Sequence, residues 1–171
     1  MKFLMTIAYL LFLTLSIHVS ATTSNRSSWK LVKDEAKGVQ LYKEGKFEEA
    51  YKKLSVTAKL GLKQSQYFMA FMYLKGQYIE QSVVTGLAWL GVAKESKIKE
   101  WSDTYDSIYS KLSKDSKMLV DSRQKLFIEQ YGMRAQKVEC ETRKSSIRAR
   151  KKSVIFCQKR DKAELLTYEV G

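Results

Sequence analysis

The sequence predicts an all-α fold, a short α-α superhelix of about six helices in helix-turn-helix repeats, followed by a small disulfide-linked β-hairpin or extended segment. Three observations support this prediction. Apolar residues recur at helical spacing through most of the chain, which contains no proline. The spacing of Tyr42 and Gly45 recurs in Tyr73 and Gly76, 31 residues later, which is a typical helical-repeat period. Beyond residue 134, short apolar runs precede two cysteines.

The chain opens with an apolar run that extends from Phe3 to Val19 and follows a single lysine. The tripeptide Val19-Ser20-Ala21 places small or apolar residues where a signal peptidase requires them, so residues 1–21 are predicted to be a secretory signal peptide cleaved after Ala21. A retained single-span anchor is the alternative, because the run lies near the lower length limit of a membrane-spanning helix. We expect the mature protein to be periplasmic or secreted.

The mature chain of 150 residues has the size of one domain and a formal net charge of about +12. Such a charge favours anionic partners, but it also keeps an exported protein soluble. The only histidine, His18, lies in the predicted signal peptide. A mature chain without histidine lacks the usual general base, the Ser-His and Cys-His nucleophile pairs and imidazole metal ligands. We therefore predict a non-catalytic protein without a metal site or a cofactor.

The first repeat is predicted to begin near Trp29, after a polar stretch at residues 22–28 that is expected to be a flexible lead-in. Its first helix is predicted to end around Gly45 and its second to extend from Phe47 to Gly61. Two glutamates in the first turn of the second helix favour this assignment, because the helix dipole stabilises negative charge there.

The second repeat occupies Gln64 to Glu95, where one continuous stretch shows a helix, a turn and another helix. The apolar stripe of its first helix includes Tyr73 and ends at Gly76. A second apolar stripe, which includes Trp89, follows in the next helix. The residues that match a known pattern are Ser65, Gln66, Met69, Ala70, Met72, Tyr73, Gly76, Ile79, Gly86, Trp89 and Ala93.

In these residues the chain resembles the Sel-one-like branch of the tetratricopeptide-type repeats, and in particular its exported bacterial members. Four positions depart from the family pattern. Ala70 and Tyr78 replace glycines, Ser82 replaces a helix-capping aspartate, and Gly86 replaces an alanine. The resemblance implies a protein–protein interaction adaptor or scaffold.

Three aromatic residues of this repeat are candidate partner-binding residues. Tyr67 and Phe71 lie off the main apolar stripe and are expected to face a neighbouring repeat. Tyr78 replaces a turn glycine and is expected to project from the loop. Tyr73 and Trp89 are interpreted instead as inter-helix packing, because large aromatic side chains dominate core burial.

Two further helices are predicted after Glu95, without a clear third copy of the repeat. A polar break at residues 113–116 with capping residues separates them, and the second ends before Gly132. Helices of this kind close the open end of a short repeat array. We therefore expect the repeat domain to occupy residues 29–133.

The basic C-terminal segment, residues 134–171, contains both cysteines. Cys140 and Cys157 are expected to form a disulfide in an oxidising compartment, with two free thiols as the alternative. Closing a loop of this length stabilises the fold by about 3 kcal/mol in the chain-entropy model.

Residues 134–162 hold eleven basic and three acidic side chains. The candidate anion-binding residues among them are Arg143, Lys144, Arg148, Arg150, Lys151 and Lys152. Two functions remain open: an adaptor for an unknown protein or peptide, and a binder of anionic envelope surfaces or polyanions. A solvated loop without a dedicated ligand is the simplest alternative to the second. Nucleic acid is disfavoured, because no aromatic residue interrupts the basic run.

Overall fold

The computed structural model describes the backbone of residues 21–145, 152–160 and 165–170, and the side chains of 29–144, 154–157 and 159. In these parts of the chain, six longer helices precede a one-turn helix and a small sheet. The longer helices are α1 (Ala21–Lys43), α2 (Phe47–Lys59), α3 (Lys63–Lys75), α4 (Val83–Ala93), α5 (Lys99–Tyr109) and α6 (Lys114–Tyr131). The remaining elements are a 3-10 turn (Lys94–Ser96) between α4 and α5, and α7 (Met133–Gln136), β1 (Val138–Ser145), β2 (Lys152–Arg160) and β3 (Leu165–Val170). The predicted fold class is confirmed.

The turns that follow the first helix of each predicted repeat have the same design. Gly45 and Gly76 adopt left-handed backbone conformations, with φ of +77° and +65°. Gly76 caps α3 by donating its backbone N–H to the Met72 carbonyl. Glycine takes this conformation without the steric cost that a Cβ atom would bring.

The N-terminal part of the structure differs from the prediction. α1 begins at Ala21, so the backbone of residues 22–28 is helical where a flexible lead-in was expected. The stretch contains neither glycine nor proline, and a helix already held by packing further along extends through such residues one hydrogen bond at a time. Residues 1–20 of the predicted signal peptide lie outside the described part of the chain. Within the described part of the chain, no helix combines the length and apolar character needed to cross a membrane.

Helix α4 lies at the centre of the helical array and packs against α3, α5 and α6. Every residue from Gly86 to Ala93 is buried. Trp89 is 3% exposed, with its ring centroid 4.8 Å from Phe127 and 5.1 Å from Tyr131, both on α6. The interpretation of Trp89 as a packing residue is therefore confirmed.

Helices α5 and α6 extend the array beyond the two recognisable repeats. The Tyr105 hydroxyl of α5 donates to Gln124 Oε1 of α6 at 2.6 Å, and the Tyr109 hydroxyl donates to Asp121 at 2.8 Å. Ser113 caps α6 by accepting a hydrogen bond from the Ser116 backbone N–H. The polar break predicted between these helices is thus the N-cap of α6.

The three strands form an antiparallel sheet in the order β1-β2-β3. Cys140 and Cys157 face each other directly across β1 and β2 and form the predicted disulfide. The third strand, β3, pairs with β2 and was not predicted. Val138 and Cys157 are buried in the same hydrophobic core as the helices, so the sheet packs on the helical array.

Candidate functional site

An aromatic row crosses the three odd-numbered helices. We define it as Tyr42 of α1, Tyr67, Phe68 and Phe71 of α3, and Trp101 of α5. The ring centroids of Tyr42 and Phe68 are 4.8 Å apart, and those of Tyr67 and Phe71 are 4.9 Å apart. Tyr67 lies 5.5 Å from Phe68 and stacks on Trp101 at 4.6 Å with an interplanar angle of 16°. The row is therefore continuous from α1 to α5.

The periodicity of α3 explains why the part of the row on this helix reaches the surface of the array, whereas Trp101 is 5% exposed and lies in the core. Met69 and Met72 are buried, whereas Tyr67, Phe68 and Phe71 belong to another face of the same helix and are half-buried. Aromatic side chains with one accessible edge supply large contact areas at low entropic cost, and they are enriched in protein interfaces.

Polar groups at the edges of the row add one ammonium group and two hydroxyl groups to the aromatic surface. Lys75 Nζ lies 5.4 Å from the centroid of the Phe71 ring. Burial raises the pKa of the Tyr67 hydroxyl, and the nearby Glu100 carboxylate raises it further. Burial likewise raises the pKa of the Tyr42 hydroxyl, which donates to Gln77 Oε1 at 2.8 Å. Both hydroxyls are therefore neutral hydrogen-bonding groups at neutral pH.

The structure separates the three candidate partner-binding residues into two places. Tyr67 and Phe71 belong to the row, where Tyr67 contacts α5. Tyr78 is 52% exposed at φ +68° and packs against Tyr51 at 5.6 Å. It lies in the α3–α4 loop, whose residues Ile79 to Ser82 line a shallow groove of about 480 Å³.

Sequence reasoning missed Tyr42, Phe68 and Trp101. Phe68 could have been found, because it lies beside Tyr67 and three residues before Phe71 on the same helix. Trp101 could not, because its stacking on Tyr67 depends on how α5 packs in three dimensions.

A buried ion pair joins helix ends at one end of the array. Lys63, which has no exposed surface, donates from Nζ to Glu95 Oε2 at 2.9 Å, to the Val92 carbonyl at 3.0 Å and to Gln66 Oε1 at 3.0 Å. Burial lowers the pKa of the Lys63 ammonium group, and the Glu95 carboxylate counteracts this effect. The ion pair therefore fixes the beginning of α3 against the end of α4.

The same cluster reaches the C-terminal end of α6. Glu95 Oε2 also accepts a hydrogen bond from the Met133 backbone N–H at 2.8 Å. Gln66 Nε2 donates to the Ala58 carbonyl at 2.9 Å and to the Tyr131 carbonyl at 2.8 Å. Backbone groups at several helix ends are thus satisfied by three side chains, which indicates a structural role rather than a catalytic one.

The sheet is attached to the array by a second buried lysine. Lys159 of β2 is 9% exposed and donates from Nζ to the Leu60 carbonyl at 2.6 Å and to the Gln136 carbonyl at 3.0 Å. Gly61 allows the two parts to meet, because a Cβ atom there would lie 2.6 Å from Gln136 Cβ. The sheet therefore has a defined place beside the turn between α2 and α3.

The basic residues of the sheet are described only in part. Arg143 pairs with Glu141 and lies 5.1 Å from the centroid of the Phe156 ring. Lys144 is exposed. The backbone of Lys152 lies opposite Ser145, so the strand register brings these basic positions to one end of the β1–β2 pair. Arg148, Arg150 and Lys151 lie outside the described residues.

Comparisons with known proteins give one structural resemblance. No family model matches the chain, and no curated protein matches it. Among solved structures, a protective antigen of uropathogenic Escherichia coli strains that displays an SLR fold is similar over 53% of this chain, with 20% sequence identity and a TM-score of 0.48. The matched part spans 20% of that protein's chain. The helical-repeat architecture is a property of this chain's own structure, and the Sel-one-like pattern is a resemblance of its sequence.

Proposed function

We propose that this protein is an exported, non-catalytic adaptor that binds a protein or peptide through the aromatic row. The observation that carries the proposal is the continuity of the row: the half-buried rings of Tyr42, Tyr67, Phe68 and Phe71 extend across α1 and α3, and the buried Trp101 of α5 supports them from below. Interfaces concentrate their binding energy in such aromatic anchors. The Cys140–Cys157 disulfide supports export, because disulfides persist in oxidising compartments. The proposal includes signal cleavage after Ala21 and a repeat domain at residues 29–133 followed by a basic segment.

The test is affinity capture from envelope extract at high salt with the oxidised protein and the variant Phe71→Ser. Phe71 contacts Tyr67 at the accessible end of the row, so its replacement leaves the stacking of Tyr67 on Trp101 in place. The matched control is Val56→Ser, an exposed apolar position on α2. A captured protein would then be purified and its affinity measured by calorimetry. We expect about a tenfold loss of affinity for Phe71→Ser and no loss for the control. Equal affinity for both variants would contradict the proposal.

A second candidate function is the binding of anionic envelope surfaces or polyanions by the basic segment. The specific observation in its favour is the strand register, which brings Arg143, Lys144 and Lys152 to one end of a sheet that Lys159 and the disulfide hold in place. A fixed group of cations attracts phosphate-rich surfaces more strongly than dispersed cations do.

Vesicle binding distinguishes this candidate from the adaptor. The substitution of Arg148, Arg150, Lys151 and Lys152 by serine would be compared with a control in which four exposed lysines of α1 are replaced: Lys30, Lys33, Lys37 and Lys43. If the segment is the site, binding to anionic vesicles falls steeply with salt and is lost only in the first variant. Equal losses in both variants would indicate a general effect of net charge.

A further inference from the structure

The groove beside the α3–α4 loop contains no residue of the aromatic row. Its volume is about 480 Å³, and its lining consists of Tyr73, Ile79, Glu80, Gln81, Ser82 and Thr85. The volume falls within the range of about 300–1,000 Å³ that is typical of small-molecule sites. We propose that this groove is a second binding site, which takes a neutral saccharide with one or two of its sugar rings in the groove.

The lining of the groove has an apolar part and a polar part. Tyr73 and Ile79, both half-buried, supply an aromatic ring and an aliphatic side chain. The other lining residues supply a carboxylate, an amide and two hydroxyl groups. A sugar ring is divided in the same way, because its C–H groups form apolar faces and its hydroxyl groups lie around the edge. Each sugar hydroxyl both donates and accepts hydrogen bonds, so this mixture of lining groups can satisfy it.

Two acceptor groups of the lining are available to a ligand. Within the described residues, the exposed Glu80 carboxylate makes no hydrogen bond or ion pair. Gln81 donates from Nε2 to the Leu74 carbonyl at 2.8 Å. That hydrogen bond fixes the amide group and leaves its Oε1 atom to accept from a sugar hydroxyl.

The loop that carries these groups is held against α3 at both ends. At its beginning, the Gln77 backbone N–H donates to the Met72 carbonyl at 2.9 Å. At its end, the Ser82 backbone N–H donates to the Tyr73 carbonyl at 2.9 Å. A site whose walls are already fixed loses less conformational entropy on binding than a site that must first become ordered. The groove is therefore pre-formed for its ligand.

The charges at the groove favour a neutral saccharide. The Glu80 carboxylate in the lining disfavours an anionic ligand. Burial raises the pKa of the Tyr73 hydroxyl, and the Arg123 guanidinium of α6 partly opposes this increase. Arg123 therefore lies within electrostatic range of the groove and disfavours a cationic ligand.

Tyr78 adds an exposed aromatic ring next to the groove. Its φ of +68° lies in the left-handed region, which a bulky side chain disfavours. The ring packs on Tyr51 but stays 52% exposed, so packing recovers only part of the burial that a core tyrosine gains. Strained residues of this kind cluster at binding sites. Lys52, within electrostatic range of the Tyr78 hydroxyl, is paired with Glu48 and adds no unpaired cation.

The test is a nuclear magnetic resonance titration of the isotope-labelled, oxidised protein with three neutral disaccharides: maltose, lactose and chitobiose. At least one of them is expected to shift the backbone amide signals of residues 79–85 and to leave those of the aromatic row unchanged. The expected dissociation constant is on the order of 1 mM, because a shallow groove buries only part of its ligand. The absence of such shifts with all three sugars, at concentrations about fiftyfold above that value, would overturn the proposal.

Two variants then locate the site. Glu80→Ala removes an acceptor without removing a contact inside the protein, and it is expected to weaken binding about tenfold at unchanged stability. Tyr78→Asn removes the ring and keeps the left-handed backbone, which asparagine tolerates, and it is also expected to weaken binding about tenfold. The matched controls are Glu49→Ala, at an exposed carboxylate of α2, and Phe71→Ser in the aromatic row. Both controls are expected to retain wild-type affinity.

Wild-type affinity in both groove variants would overturn the proposal. Loss of saccharide binding in Phe71→Ser would also overturn it, because the sugar would then occupy the aromatic row. If a protein captured through the row shifts the signals of residues 79–85 and no saccharide does, the groove belongs to the protein interface instead.

Discussion

Glu35 is a buried carboxylate that caps a helix other than its own. It is 3% exposed on α1, and its Oε1 atom accepts hydrogen bonds from the Ser65 backbone N–H at 2.9 Å and from the Ser65 hydroxyl at 3.0 Å. The N-cap position of α3 is Leu62, which has no side chain able to cap. Glu35 thus satisfies an N–H group in the first turn of α3, where the helix dipole favours negative charge.

Burial raises the pKa of Glu35 to about 7, and the hydrogen bonds from Ser65 only partly oppose this increase. Because the folded state binds the proton more tightly than the unfolded state, ionisation of Glu35 destabilises the fold. The associated stability is fully present below pH 4.5 and is lost as the pH rises through about 7, for a total of about 3 kcal/mol. We expect urea unfolding to show lower stability at pH 7.5 than at pH 5.

The variant Glu35→Gln isolates this contribution, because glutamine retains the acceptor oxygen and does not ionise. Its free energy of unfolding is expected to vary less with pH than that of the wild type over the same interval. Glu49→Gln, at an exposed position on α2, is the matched control and should keep the wild-type dependence. If Glu35→Gln retains the full pH dependence, another group is responsible.

At the scale of elements, two glycine turns provide a comparison between backbone strain and steric contact. Gly45, between α1 and α2, has φ of +77° and open space where a Cβ atom would lie. Gly61, between α2 and α3, has φ of +92°, and a Cβ atom there would lie 2.6 Å from Gln136 Cβ. Both positions disfavour a side chain, but only Gly61 is also pressed against another element.

Alanine at each position should separate the two effects. Gly45→Ala is expected to cost about 1 kcal/mol, from the left-handed conformation alone. Gly61→Ala is expected to cost about 2–4 kcal/mol, because Gln136 and the start of β1 must also shift. Chemical denaturation of both variants measures the difference. Equal losses would show that α7 moves away at no cost.

The six longer helices were predictable because their apolar residues recur with a helical period and because glycines or capping residues separate most of them. The boundary between α4 and α5 is the exception, since it is formed by a 3-10 turn and an N-cap residue, Ile98, without a capping side chain. Ser82 is the N-cap of α4, since its hydroxyl accepts a hydrogen bond from the Thr85 N–H at 3.2 Å. The start of α1 was not predictable, because the polar composition of residues 22–28 resembles that of a loop. β3 was missed because it is stabilised by pairing with β2, a contact that its own six residues do not encode.

At the scale of the whole molecule, Lys159 determines where the sheet sits on the helices. Replacing it by methionine keeps most of its volume but leaves the Leu60 and Gln136 carbonyls without its ammonium group. We expect Lys159→Met to weaken the attachment of the sheet and leave the helices folded, because unsatisfied buried carbonyls cost about 1–3 kcal/mol each.

Hydrogen exchange would measure this effect segment by segment. Faster exchange is expected in β1, β2 and the α2–α3 turn, with unchanged exchange in α4. Lys144→Met, at an exposed position on β1, is the control. Uniform acceleration in all helices would show that the sheet is required for the array as a whole, which would contradict local attachment.

The candidate site could be predicted only where a single helix encodes it. Tyr67 and Phe71 were found because their position off the apolar stripe of α3 is visible in the sequence. The pairing of Lys63 with Glu95 was not, because the two residues lie 32 positions apart and a lysine in the first turn of a helix resembles a surface residue. Such contacts depend on the relative placement of elements, which periodicity does not specify.

The hydrogen bond between Lys159 and the Leu60 carbonyl also affects the order in which parts of the chain fold. The two residues are 99 positions apart, whereas the helix pairs depend largely on contacts between neighbours in the chain. Local contacts form before distant ones, because closing a long loop costs more entropy. We therefore expect the helices to assemble before the sheet attaches, with the Leu60 carbonyl hydrated until then. A chain truncated before β2 would leave the α2–α3 turn exposed. We expect proteases to cleave the truncated chain at this turn faster than they cleave the full-length protein.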